Sequence, residues 1–218
     1  MDLVIRSLPL LLQGAQMTIQ VMIFACSLSG FLGLLFGMLT SERLRLPILS
    51  YPIEGFAFLF RAIPFYVQLL IVYFVLPDLC GFNLDPFTAS ALALGLCSSG
   101  YVTQIVRSAL NAVPSTQWDA AFVLGYSKWG SLRAFILPQM IRHALPALCN
   151  EWESVLKSTA IVSSIGLLEL TRVGMNLVSR EMEPVPIYLM IACCYLLFSF
   201  ILNAFFRLIE WRLNYVRN

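Results

Sequence analysis

The sequence predicts an all-α integral membrane bundle of about five transmembrane helices, on three observations. Hydrophobic residues fill 59% of the 218 positions and charged residues only 12%, against roughly a quarter charged in a soluble domain; the mean hydropathy is +0.81. The apolar residues gather into runs of about 20, the length an α-helix needs to cross the hydrocarbon core. Short polar segments separate these runs, and five helices with their connections use nearly the whole chain. A single domain over residues 1–218 is therefore expected, with no room for a second globular one.

The first span is 17–40, which holds no charged residue. Gly33 and Gly37 are one turn apart on it, and small residues so placed let another helix approach closely. The sixteen residues before it lack the basic start and cleavage site of a removed signal peptide, so this helix is expected to be retained. After the charged loop 41–45, the second span, 56–76, is apolar apart from Arg61, with a kink expected at Pro64. Residues 77–86 carry Asp78, Gly81, Asn83 and Asp85 and read as a loop. The third span, 87–106, is uncharged.

Residues 111–140 are too polar to cross a membrane and too short to form a domain. The fourth span, 146–168, is interrupted by Glu151, Glu153 and Lys157, which leaves its ends open. A polar loop is expected over 171–186, then the fifth span, 187–206, and a basic tail, 207–218.

Orientation follows from the distribution of Lys and Arg. Arg43, Arg45, Lys128, Arg133, Arg142, Arg207, Arg212 and Arg217 fall on one side of a five-span chain, and only Arg6, Arg172 and Arg180 on the other. The N-terminus is then outside and the C-terminus cytoplasmic. A net charge of +2 from scattered basic residues gives no argument for nucleic acid. The six cysteines lie mostly in apolar runs, where a thiol acts as a small hydrophobe, and their spacing fits neither a disulfide framework nor a zinc site.

The central segment has the marks of a short capped helix. Thr116 can cap its start with Asp119 bonding back, a charge suited to the positive end of the helix. Gly125 can take the left-handed conformation that closes it. Ser127 can cap a second helix running to Leu137 and stopping before Pro138. Two turns are too few to be stable alone, and Phe122, Val123 and Leu124 need a cover. That cover is either the protein's own helix ends and the lipid surface, or a groove on a soluble partner.

The run Asp119-Ala120-Ala121, then Gly125, Phe135 and Leu137-Pro138, resembles the EAA loop of ABC importer permeases, with Asp for Glu and Phe for Ile. Further likeness points to the polar amino acid branch: Gly14 with Thr18-Ile19, Phe60-Arg61-Ala62-Ile63-Pro64, Gln68-Leu69, Tyr101, Arg107, Pro114, Leu145-Pro146, Asn150-Glu151 and Lys157-Ser158-Thr159. Gln104 stands where that branch often has Glu. The resemblance implies a type I importer fold in which Asp119, Ala120, Ala121, Gly125, Leu137 and Pro138 form the coupling helix and its frame, docked in a cleft of an ATP-binding subunit. It also implies two such ATPase subunits, a second permease subunit, identical or homologous, and an extracytoplasmic substrate-binding protein. The setting it implies is the lipid of a bacterial cytoplasmic (inner) membrane.

No stretch has the form G-x-x-x-x-G-K-[ST], so nothing in the chain is built to cradle a nucleotide's phosphates. The chain is expected to be a transport subunit rather than an enzyme and to bind no cofactor, ATP being used by its partner. Ionisable groups at membrane depth usually face a cavity or a partner, which makes Glu151, Glu153, Lys157, Arg61 and Arg107, together with Gln104, the candidates for a substrate pathway. The plainer alternatives are that Glu153 and Lys157, four apart, neutralise each other and that Arg107 caps helix-end carbonyls or meets headgroups. A secondary transporter would show two related halves, which are not visible. A membrane-embedded enzyme would need a polar cluster, and His143 is the sole histidine.

Overall fold

The computed structural model describes residues 2–215; Arg217, counted above with the basic tail, lies outside them. The helices are α1 Asp2–Thr40, α2 Pro47–Ala62, α3 Phe65–Cys80, α4 Pro86–Asn111, α5 Ser115–Val123, α6 Lys128–Ile165, α7 Leu170–Glu181 and α8 Pro184–Tyr215, with no strand among the described residues. Three of them, α1, α4 and α8, are each long and apolar enough to cross a membrane. The pairs α2–α3 and α6–α7 meet the same test only as bent units, giving up to 5 spans.

The helix that holds the first span runs well beyond 17–40. With 39 residues, α1 extends over about 58 Å at 1.5 Å per residue, because Leu11 and Ala15 find cover against Leu170, Leu177, Ile187 and Ile191. Its other half crosses α4 at close range. A Cβ added at Gly37 would lie 2.6 Å from Val106 Cβ, and one at Gly33 would overlap Val102. The absence of side chains at both glycines is what lets the two backbones meet.

The second span is broken outright rather than kinked. Helices α2 and α3 meet at 104°, since Pro64 supplies no N–H and holds Ile63 extended at φ −87°, ψ 132°. The buried Gln68 donates through Nε2 to the carbonyls of Phe60 (2.8 Å) and Ile63 (2.7 Å), which satisfies acceptors that the break strands. Helix α3 also outruns its expected end at 76. A π turn over Ile71–Val75 lets Leu76 N–H donate to Ile71 O just before Pro77, and the helix closes at Gly81, with φ 72°. The loop is thus 81–85. It ends at Asp85, whose carboxylate accepts from the Thr88 hydroxyl (2.7 Å) and N–H (3.0 Å) to cap α4; those bonds hold it below the ordinary carboxylate range.

Helix α6 repeats the device. A π turn over Leu132–Ile136 has Leu137 N–H donating to Leu132 O immediately before Pro138. The helix therefore passes through Pro138, where a stop was expected, and Gln139 Nε2 adds a donor to Phe135 O at 2.9 Å. It ends in a 3₁₀ turn, Thr159–Ile165, closed by Gly166 at φ 86°.

The loop expected over 171–186 is instead largely the helix α7, bent by 51° from α6. Leu170, Gly174 and Leu177 form its buried stripe, a helical spacing that the polar residues of its outer face hid from hydropathy. The buried Glu169 caps it, accepting from Thr171 N–H (2.8 Å), Arg172 N–H (2.7 Å) and Tyr195 O–H (3.2 Å). Helix α8 then begins at Pro184 and carries the expected tail onward as helix to Tyr215.

Candidate functional site

Two places hold the residues singled out by sequence: the short helix α5 with its surroundings, and a hollow beside the break between α2 and α3.

Helix α5 is capped differently from expectation at its start and as expected at its end. It begins at Ser115 with Pro114 in the cap position, and no side chain caps it. Thr116 therefore lies inside the first turn, because Pro114, at φ −55°, already presets the entry. At the other end Gly125 is left-handed, at φ 84°. Gly125 N–H donates to Phe122 O (2.9 Å) and Tyr126 N–H to Ala121 O (3.0 Å), the paired bonds of a Schellman ending. Ser127 Oγ accepts from Gly130 N–H at 3.2 Å to start α6.

The helix has two faces. Trp118 is sunk among Leu110, Val113, Leu132, Ile136 and Met140, and Ala121 is buried beside it in the same helix. On the opposite side Val123 is 88% exposed and Leu124 71%, flanked by Phe122, Tyr126 and Trp129. Asp119 and Ala120 are exposed, and Asp119 Oδ1 lies 3.5 Å from Arg43 Nη1 of the first loop. Leu137 packs at the edge of the Trp118 cluster, while Pro138 is exposed. The Tyr126 and Phe135 rings meet edge to face at 5.0 Å. The arrangement anchors α5 from beneath and leaves an apolar, aromatic ridge uncovered.

The hollow has a volume of about 460 Å³ and is walled by the α2–α3 break, α4 and α6. Arg61, Ser98, Tyr101, Glu151, Ser154 and Ser158 contribute its polar groups. Arg61 Nε donates to Ala57 O at 2.9 Å, which aligns the guanidinium stem along α2. The hydroxyl of Ser98 is buried beside the Glu151 carboxylate. One cation, one carboxylate and several hydroxyls from three helices thus share one space.

The remaining candidates lie elsewhere. Glu153 accepts from Lys157 Nζ (2.9 Å), Ser199 Oγ (2.9 Å) and Asn203 Nδ2 (3.4 Å) toward α8, and the Lys157 side chain is 69% exposed. Arg107 donates to Glu54 at 3.1 Å. Gln104 lines a separate hollow with Ser108 and His143. Ser98, Ser154 and Glu54 were missed by sequence reasoning. The first two could have been found from helical spacing with Tyr101 and Glu151; Glu54 has its partner 53 positions away and left no local signal.

Residues 31–215 match the family described as binding-protein-dependent transport system inner membrane component. The glutamine transport system permease protein GlnP of Escherichia coli (strain K12) is 31% identical over 211 residues, covering 95% of this chain and 94% of that one. The arginine transport system permease protein ArtQ of Bacillus subtilis (strain 168) is 33% identical over 168 residues, 77% of this chain and 76% of that one. Among solved structures, a chain of an amino acid ABC transporter crystallised with histidines matches with a TM-score of 0.85 and 32% identity, over 95% of this chain and 96% of its own. A chain of the inward-facing MetNI methionine ABC transporter matches with a TM-score of 0.79 at 16% identity, over 94% and 97%; that likeness is one of fold.

Proposed function

The chain belongs to the binding-protein-dependent transport system inner membrane component family, a membrane permease subunit of an ABC transporter and not an enzyme, and from that premise we propose that it carries polar amino acids through the Arg61–Glu151 cavity. The observation that carries this reading is that Arg61 and Glu151, from α2 and α6, line one hollow of about 460 Å³, a size suited to a small molecule. A zwitterionic amino acid needs a donor-rich cation for its carboxylate and a carboxylate for its ammonium group. Arg61 and Glu151 supply these, and Tyr101, Ser154 and Ser158 offer hydroxyls to a polar side chain. The start of α3 borders the same hollow through Pro64 and Phe65, and the positive end of a broken helix favours the substrate carboxylate.

The energy enters at α5. Its exposed ridge, Phe122 to Leu124 with Tyr126 and Trp129, docks on an ATP-binding subunit, and Asp119, Ala120, Ala121, Gly125, Leu137 and Pro138 shape and hold that surface. The working assembly pairs this chain with a second permease subunit, identical or homologous, two ATP-binding subunits and an extracytoplasmic substrate-binding protein, in a bacterial cytoplasmic membrane. Segment 111–140 and the C-terminus face the cytoplasm, and the N-terminus lies outside, in keeping with the charge bias of the loops. ATP is bound and hydrolysed by the partner; this chain holds no cofactor.

The test is reconstitution of the permease with its ATP-binding subunits and binding protein in vesicles, followed by uptake of labelled arginine, histidine, glutamine, glutamate and cystine. Uptake of at least one of these should require ATP on the α5 side. Uptake that proceeds without the ATPase and follows an ion gradient instead would show a secondary transporter.

A further inference from the structure

We propose that Glu54 is the positioning residue that ties the docking helix α5 to Arg61 at the cavity, and so links ATPase movement to substrate movement. The proposal rests on the reading of the chain as an ATP-driven permease with Arg61 on its pathway.

Glu54 sits on α2 and faces cations from two other elements. Its Oε1 accepts from Arg107 Nη1 of α4 at 3.1 Å and lies 3.5 Å from Arg45 Nη2 of the first loop. The three side chains are 30%, 30% and 38% exposed, enough cover for their attraction to be screened less than on open surface.

The loop that holds Arg45 also reaches the other elements. Arg43 Nη1 is 3.5 Å from Asp119 Oδ1 on α5, and the backbone N–H of Glu42 donates to Asn111 Oδ1, at the end of α4, at 3.1 Å. Residues 42–45 therefore touch α4, α5 and α2 in turn.

From Glu54 the line continues along α2. Arg61 is seven residues on, two turns along the same face. That face packs on α4 at Gly100, where an added Cβ would lie 3.1 Å from Ala57 O and 3.3 Å from Arg61 Cγ. A displacement of α5 is passed to the first loop by Asp119–Arg43 and to α2 by Arg45–Glu54, while Glu54–Arg107 keeps α2 seated on α4. Beyond Arg61 the chain breaks at Pro64, a hinge at which α2 and α3 can change their angle. Exposed ion pairs such as Arg43–Asp119 add little to stability, so breaking this line should impair coupling before folding. Contiguity alone does not establish coupling, which is why the test measures it directly.

The experiment uses the permease purified together with its ATP-binding subunits, reconstituted with the binding protein, with ATP hydrolysis and labelled amino acid uptake measured in the same vesicles. Glu54→Gln should lower uptake per ATP by about fivefold or more at normal complex yield and hydrolysis, and Glu54→Asp, which keeps a carboxylate facing Arg45 and Arg107, should retain more of it than Glu54→Gln. Unchanged uptake per ATP in Glu54→Gln overturns the proposal. So does a parallel fall in yield, hydrolysis and uptake that Glu54→Asp shares with Glu54→Gln, since that marks a merely structural contact. Failure of the unsubstituted complex to take up substrate with ATP overturns the underlying transport reading instead.

Discussion

Val106 of α4 occupies the space that a side chain on Gly37 of α1 would need: a Cβ built on Gly37 lies 2.6 Å from Val106 Cβ and 2.9 Å from Thr103 O. Gly37→Leu should therefore force the helices apart and lower stability by about 1–3 kcal/mol, the usual penalty of overpacking. Val106→Ala should return little of the loss, because the Cβ at 2.6 Å and the Thr103 carbonyl at 2.9 Å both remain. Thermal unfolding of the detergent-purified chain, with and without the second substitution, reads both effects.

The exposed ridge of α5 gives a cleaner test of docking than its buried side. Val123→Asp, at a position 88% exposed, should leave the melting temperature of the permease unchanged. It should weaken capture of the ATP-binding subunit by about 2 kcal/mol or more if Val123 is a central contact. Ala121→Arg should also abolish co-purification, but through a different route, by unseating α5 from the Trp118 cluster, and should lower the melting temperature as well.

Within the cavity, Glu151→Gln keeps the shape and removes the charge. Loss of a hydrogen bond to a charged group is worth about 1.5–3 kcal/mol, so uptake at limiting substrate should fall by roughly ten- to a hundredfold. Glu153→Gln, whose partners Lys157, Ser199 and Asn203 lie toward α8 and away from the hollow, should lower uptake much less than Glu151→Gln. Equal losses in the two variants would move the pathway to the α8 side of α6.

Asp85 gives a pH-dependent contribution to stability. Its carboxyl is held below the ordinary range by Thr88, so the cap is fully present above the unfolded-state value of about 3.9 and is lost as pH falls through the lower, folded value. Asp85→Ala should lower stability near neutral pH by about 0.5–2 kcal/mol, and the gap between the two proteins should close below about pH 4. Unfolding midpoints measured from pH 3 to pH 7 check this.

The parts of the fold that sequence made legible are those whose physics is local. Absence of charge marked the cores of α1, α4 and α8, because a span needs nothing but length and apolar surface. Gly125 and Ser127 were readable as helix punctuation because their bonds reach only a few residues away. Hydropathy, by contrast, carries no direction, so it reported one apolar stretch where α2 and α3 meet at 104°. It also missed α7, whose buried stripe is held by α1 and α8 through Leu11, Ala15, Ile187 and Ile191, all remote in sequence. The site divides in the same way. Arg61 and Glu151 stood out as charges at membrane depth, but their place in one hollow, and the departure of Glu153 and Arg107 to other partners, depends on how the helices are turned against one another.

That turning is fixed in part by the π turn at Leu132–Ile136. An α-helix advances about 100° per residue, so one additional residue in a turn rotates everything downstream by roughly that angle relative to everything before it. Lys128 and Trp129 lie on one side of this inserted residue, at the exposed ridge, and Glu151, Ser154 and Ser158 lie on the other. The insertion therefore sets the phase between the end of α6 beside the ridge and the side that meets the cavity, as the keyway on a crankshaft sets one throw against another. Shortening the turn by one residue would leave the composition of both ends intact and point Glu151 at a different neighbour.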